Sequence, residues 1–410
     1  MDSLKAAIVE RVGAHRADIL DLARALVAIP TENPPGRAYL PCCDLLASQL
    51  GDLGIAHRVV DVPAAGRFDA GLPRRCLLAS HGEGSRAVVF HGHYDVVPAQ
   101  HAAQFQPRVE RGRLVGRGSS DMKCGLAAMI YAVHVLQELD VPLRGRVELC
   151  LVPDEETGGQ GGSAWLVQAG LLGTDAVAML TPEPTSGVVW HANRGAVTVA
   201  ITVRGVPAHV GLQHSGVNAF EGMLDAAAAL RELKREVEAR TTSFRLRPDE
   251  ARRSILLLGG RVEGGTNFNV VPDRVTFTVD RRFNPEEDID VEKARLFEVL
   301  DRVRERGVAL DVDVIQESVS AGGSDCDPIA LALADTALEV EGRRPDFEMC
   351  PGSLETRWYA QRGIPAFAYG PGLLEVSHGP DEYVELERVF QHASLYAMLA
   401  ARVLADGGAR

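Results

Sequence analysis

A chain of 410 residues, 46% hydrophobic and 24% charged, has the length for two domains and enough apolar residues to bury a sizeable core. Asp plus Glu number 56 against 43 Lys plus Arg, a formal net charge of -13, and a surface of that sign repels phosphate backbones, so no nucleic-acid partner is expected. No apolar run reaches the roughly 18 residues of a membrane span, the start MDSLKAAIVERVGAHR has no signal-peptide core, and the seven cysteines lack the paired spacing of a structural zinc site, so a cytoplasmic location without membrane attachment is expected.

The first 30 residues are predicted helical, with Ile19, Leu20, Leu22, Leu26 and Val27 on one face, until Thr31 to Gly36 stops the helix. A helix follows over about 40–53, then short β-like runs at 57–62, 76–79 and 87–90. Residues 122–139 form a strong amphipathic helix pattern, and 146–152 and 175–180 read as buried strands. Strands alternating with helices predict an α/β domain with a mostly parallel sheet. From Gly195 the order becomes β-α-β-β-α-β, with strands at 196–204, 254–262, 271–282 and 310–315 and helices at 217–237 and 287–306. That is the ferredoxin-like arrangement, expected as an inserted α+β domain. The α/β pattern then returns with a helix at 328–340, a strand at 364–369 and a helix at 386–404. The expected boundaries are 1–193 plus 316–410 for the main domain and 194–315 for the insert.

The informative side chains follow strand ends. AVVF precedes His91-Gly92-His93-Tyr94-Asp95, RVELCLV precedes Pro153-Asp154-Glu155-Glu156, DAVAML precedes Thr181-Pro182-Glu183, and IPAFAYG precedes His378 by a few residues. In open α/β sheets the ligand crevice lies beyond the carboxyl ends of the strands. A further acid, Asp121, is expected to open the helix at Met122. Each has an ordinary alternative: Asp121 as a helix N-cap, Asp154 to Glu156 as a solvated turn, His378 as a surface-loop residue and His91 as a satisfied core histidine. Taken together they supply nitrogen and oxygen ligands for divalent cations, and the absence of cysteine points to an open catalytic site.

The segments HGHYDVVP (91–98), GRGSSDMKCG (116–125), DEETG (154–158), PEPT (182–185), VPAHVG (206–211), NVVP (269–272) and SHGPDE (377–382) follow in this order along nearly the whole chain. The chain resembles the metallopeptidase family of aminoacylase, acetylornithine deacetylase, succinyl-diaminopimelate desuccinylase and carboxypeptidase G. The resemblance implies two divalent ions, zinc first with cobalt or manganese also suited, bridged by Asp121. His93 and Glu183 would complete one ion's ligands, and Glu156 and His378 the other's. Asp95 would orient His93, and Glu155 would be the general base. His209 would reach a partner subunit's active site and help hold the oxyanion. Asn269, Arg282, Gly352, Ser353 and Gly370 would contact or shape the substrate pocket.

The implied activity is hydrolysis of a small N-acyl amino acid, nearest to acetylornithine deacetylase, by a homodimer joined through its inserted lid. A dipeptidase or carboxypeptidase, or a hydrolase of another C–N bond such as a formamide, would use the same centre, and a non-catalytic binding protein would lack a ligand or the base. Two departures concern the substrate: Asn193 replaces an Arg of the desuccinylase branch, and Gly352 to Arg357 only loosely matches the family's Gly-Thr-Asp-x-Arg.

Overall fold

Strand Ala87–His93 is buried at every position because it lies inside the first sheet, with parallel neighbours on both sides; this is why its sequence is an unbroken apolar run up to the histidines. The computed structural model describes residues 2–63 and 71–405. It divides into a unit of Met1–His191, Gly323–Glu348 and Glu355–Arg410 and a second of Ala192–Gly322 and Met349–Leu354.

In the first unit the sheet runs in the order Ala56–Val62, Arg74–Glu83, Gly145–Val152, Ala87–His93, Ala176–Thr181, Ala366–Ala368. The last four are mutually parallel and the first two antiparallel. Phe90 is level with Leu149 on one side and Leu180 on the other, so the residues after these strands emerge at one edge. Helix Cys124–Glu138 packs in the same core as Leu386–Val403, and its buried residues include almost every position up to Leu136. The predicted start at Met122 is corrected. Asp121 and Met122 have non-helical backbone angles, the peptide between them is cis, and the α-helix begins at Cys124. A small antiparallel sheet of Arg108–Glu110, Arg113–Val115 and Tyr383–Glu385 also escaped the sequence pattern, since three residues carry no period.

The second unit contains strand Gly195–Arg204, helix Ala219–Glu238, strands Ile255–Gly264 and Arg274–Phe283, helix Ile289–Glu305 and strand Leu310–Ser318. The strands pair antiparallel in the order Ile255–Gly264, Arg274–Phe283, Gly195–Arg204, Leu310–Ser318, the ferredoxin-like topology. Val197, Val199, Ile201 and Val203 alternate onto one core with Leu230, Leu233, Val299 and Leu300. Asn218 and Asp288 cap the two helices through their side-chain oxygens. The unit is larger than the expected 194–315. It includes Ala321–Gly322, and it takes in Met349–Leu354 because Met349 donates its N–H to Arg245 O at 2.7 Å and packs with Ala192 and Leu246. Among the described residues no helix is long and apolar enough to cross a membrane.

Candidate metal centre

Asp121 belongs to two groups of converging ligand atoms. One is His93, Asp121 and Glu183, the other Asp121, Glu156 and His378, and within each the ligand atoms lie within 4.8 Å of one another. Asp121 divides its oxygens between them: Oδ1 is 3.3 Å from His93 Nε2, and Oδ2 is 3.3 Å from His378 Nε2. Glu156 Oε2 is also 3.3 Å from His378 Nε2. Two ligands about 2.1 Å from one ion at tetrahedral angles stand about 3.4 Å apart, so this spacing is that of atoms sharing a cation.

The alternatives weighed for single residues are resolved by the surroundings. Asp121 caps no helix: the following helix has Lys123 at its N-cap and no side-chain cap. Instead the Asp121 N–H, with those of Gly118 and Ser120, donates to Glu382 Oε1 at 3.0–3.1 Å, and Arg117 pairs with the other Glu382 oxygen. This is what pulls the chain out of helical geometry before Cys124. His91 is the core histidine; it is wholly buried and bonded to Tyr359 and Ser163. The His378 carbonyl is fixed by Arg117 at 3.1 Å and Gln100 at 3.0 Å, which holds the ring of a half-exposed residue over Asp121 and Glu156.

His93 Nδ1 lies 3.1 Å from the Asp95 carbonyl and 3.4 Å from Asp95 Oδ1. A proton on Nδ1 leaves the Nε2 lone pair facing Asp121, the orientation a metal ligand requires. Asp95 also accepts the N–H groups of Glu155 and Glu156 and the Asn33 amide at 2.9 Å. Asn33, Asp154 and Glu382 were not singled out from the sequence. The last two lie inside matched segments, and only their buried hydrogen bonds reveal what they do.

Two of the centre's buried carboxylate oxygens have no hydrogen-bond partner. Burial, then the charge of Asp121, pushes the Glu183 carboxyl well above its ordinary range, and Glu183 Oε1 is buried without a hydrogen-bond partner. Asp121 Oδ1 likewise has none. Burial raises Asp121, but the adjacent His378 and His93 imidazoles outweigh it and hold the acid below its usual range. The Asp121 and Glu156 carboxylates, which accept from its ring, push His378 up to about 11. Burial pushes Glu155 up to about 8, with Glu355 and Glu156 adding to the rise and His93 opposing it. Two imidazoles and three carboxylates with orphaned buried oxygens fit a pair of divalent cations. A third trio, His15, His134 and Glu138, differs. His15 Nε2 and Glu138 Oε2 are 2.8 Å apart in a direct hydrogen bond, and Arg11 lies 3.5 Å from the same oxygen, so it is an ion-pair cluster.

The remaining predicted residues fall as follows. Gly370 belongs to the first unit and lies against the ligand-bearing segment. A Cβ there would stand 2.2 Å from Pro182 O and 2.4 Å from Glu183 O, so only glycine fits beneath Glu183. His209, Asn269, Arg282, Gly352 and Ser353 belong to the second unit. His209 accepts the Gly211 N–H, and the Asn269 carbonyl accepts that of Val210. Arg282 Nε is 3.0 Å from both oxygens of Asp280, a salt bridge along its own strand. The Gly352 carbonyl and Ser353 hydroxyl both bond the Arg194 backbone.

Residues 89–402 match the model of peptidase family M20/M25/M40. The chain is 28% identical to a succinyl-diaminopimelate desuccinylase of Nitrosomonas europaea, over 80% of this chain and 86% of that one. It is 24% identical to the N-formyl-4-amino-5-aminomethyl-2-methylpyrimidine deformylase of Bacillus subtilis, over 96% of each. Its fold is similar to that of a dipeptidase of Saccharomyces cerevisiae, with a TM-score of 0.80, 15% identity and 98% of each chain covered. The family match spans the strands and loops that build the centre, and the chain therefore belongs to peptidase family M20/M25/M40 as a metal-dependent hydrolase of amide bonds.

Proposed function

We propose that the chain removes the acyl group from N-acyl amino acids, in the manner of acetylornithine deacetylase, with two divalent ions held by His93, Asp121, Glu156, Glu183 and His378. The observation that carries this reading is the division of the Asp121 carboxylate between His93 and His378, each 3.3 Å away. Zinc is the proposed metal, with cobalt or manganese suited to the same donors. When bound, such a pair polarises the substrate carbonyl and lowers the pKa of an adjacent water. Glu155 takes the proton of the attacking water and delivers it to the leaving nitrogen, the two-way transfer a carboxyl raised by burial is suited to. Asp95 holds His93 and the Glu155 N–H from one carboxylate, so ligand and base keep a fixed separation.

On this reading His209 of one subunit serves the oxyanion in the partner of a cytoplasmic homodimer joined by the inserted lid. Asn269 and Arg282 meet the substrate carboxylate, while Gly352, Ser353 and Gly370 shape the pocket. The Arg282 guanidinium would keep its Asp280 pair through Nε and offer its outer nitrogens to the ligand.

A second reading, cleavage of a formamide, is favoured by the full-length similarity to the deformylase together with Leu354-Glu355 standing where the family has Thr-Asp. Dipeptides are the third class for the same centre. Metal-loaded protein assayed on N-acetyl and N-succinyl amino acids, dipeptides and N-formyl amines separates them. Preference for N-acyl amino acids is expected; exclusive turnover of another class would replace this reading, and no turnover of any would remove it.

A further inference from the structure

Residues 352–357, the segment that departs most from the family pattern, lead into a buried polar network that no step above uses. His91 Nδ1 is 2.9 Å from Tyr359 Oη, and its Nε2 is 3.0 Å from Ser163 Oγ and 3.2 Å from Glu355 Oε2. Glu355 Oε1 is 3.5 Å from Arg357 Nη2, and the Arg357 guanidinium also lies over the Trp358 ring at 4.7 Å. Arg357 Nη2 donates to the Gly158 carbonyl at 3.1 Å. Gly158 closes the single turn Glu155–Thr157 that carries the base. A Cβ on Gly159 would stand 2.9 Å from Glu355 Oε1 and 3.5 Å from Arg357 Nη2, so the network packs directly on this loop. His91, Ser163, Glu355, Arg357 and Tyr359 are all at most 1% exposed.

Burial raises the Glu355 carboxyl, but the Arg357 charge and the adjacent His91 ring outweigh it and hold it at about 2, so the carboxylate is ionised. An ion pair taken wholly out of water loses the hydration of both ions, and apolar residues filling the same volume would often be as stable or more so. Its location explains its presence. Asp95 ties the front of the turn through the Glu155 and Glu156 N–H groups, and Arg357 ties the back through Gly158. A turn held at one end can pivot, while a turn held at both presents Glu155 in one place.

We infer, resting on Glu155 being the general base, that Arg357, locked by Glu355 and His91, is a positioning residue that sets the reach of Glu155 toward the scissile amide. Displacing a catalytic group by about 1 Å costs on the order of 10²-fold in rate. The test uses metal-loaded full-length Arg357→Lys, Glu355→Gln and Glu355→Asp, with Glu155→Ala as control, on the best N-acyl amino acid or dipeptide of the panel. Arg357→Lys and Glu355→Gln are expected to lower kcat on the order of 10²-fold, with KM little changed and the ion content of the wild type retained. Glu355→Asp, which keeps the charge, should recover most of that loss. A kcat close to wild type in both variants overturns the inference, as does a loss that appears in ion content or KM instead. Should Arg357→Lys not fold, the pair Glu355→Gln and Glu355→Asp carries the test, and the same kcat-only loss with recovery in Glu355→Asp is required. Turnover retained in Glu155→Ala would instead remove the parent reading; a dead Glu155→Ala beside a fully active Arg357→Lys removes only the positioning role.

Discussion

Asp95 accepts the backbone N–H of Glu155 at 3.2 Å through the same oxygen that lies 3.4 Å from His93 Nδ1. One carboxylate therefore sets both the tautomer of a metal ligand and the start of the turn that carries the base. Asp95→Ala should lose on both counts: a partner of this kind is typically worth about 10–100-fold in metal affinity or activity. Metal titration and kcat on the same sample check it; a variant with wild-type affinity and turnover would show that His93 is oriented by packing alone.

Glu155 contributes its side chain to neither ligand group, so its role separates cleanly from metal binding. Glu155→Gln keeps the shape and removes the proton acceptor. Turnover should fall by roughly 10²–10⁴-fold, the usual contribution of general acid–base catalysis, while the ion content matches the wild type. Elemental analysis beside steady-state kinetics reads both quantities.

Glu382 is a structural counterpart. It is buried, takes three backbone N–H groups of the Asp121 loop on one oxygen and pairs with Arg117 on the other. Glu382→Ala leaves a buried guanidinium and three amides without their acceptor. Breaking a buried pair in this way costs about 3–5 kcal/mol, and the loop that presents Asp121 should loosen with it. Chemical denaturation of the metal-free proteins should show the loss, and metal affinity should fall in parallel. An unchanged midpoint would mean that water replaces the carboxylate at no cost.

His392 gives a pH signature remote from the centre. It is wholly buried between Tyr369 and Tyr396, and burial followed by the Arg388 charge lowers its pKa to about 3 from the ordinary 6.5. The neutral ring is favoured in the fold, so its stabilising contribution is fully present above pH 6.5 and is lost as pH falls toward 3. At 1.36 kcal/mol per unit, about 2 kcal/mol is gone by pH 5. Unfolding free energy followed from pH 7.5 to 5 should fall more steeply in the wild type than in His392→Phe, whatever the two start from. Parallel curves would show that His392 titrates normally in the fold.

Much of this was legible in the sequence, for reasons particular residues make plain. AVVF is apolar on both faces because it runs between parallel neighbours, RVELCLV and DAVAML become so toward their carboxyl ends, and those ends lead to His93, Glu156 and Glu183 at one edge. The β-α-β-β-α-β order survived because each element of the insert is long enough to show its period. What stayed hidden is non-local. The break at Asp121–Met122 is imposed by a carboxylate at Glu382, and the meeting of His91 with Glu355 joins residues far apart in sequence. Short strands such as Tyr383–Glu385 show no pattern because backbone pairing defines them. Met349–Leu354 joins the second unit through bonds to the backbones of Arg245 and Arg194 and one buried methionine, which no linear reading weights.

The account depends most on Asp121 serving two cations at once. Counting bound ions per chain in the wild type and in Asp121→Ala, after equilibration with zinc and with turnover measured on the same samples, tests this directly. Two ions per chain in the wild type, and fewer than one with turnover lost in Asp121→Ala, is the predicted result. A wild type that saturates at one ion, or an Asp121→Ala variant that still holds two and still turns over, would contradict it.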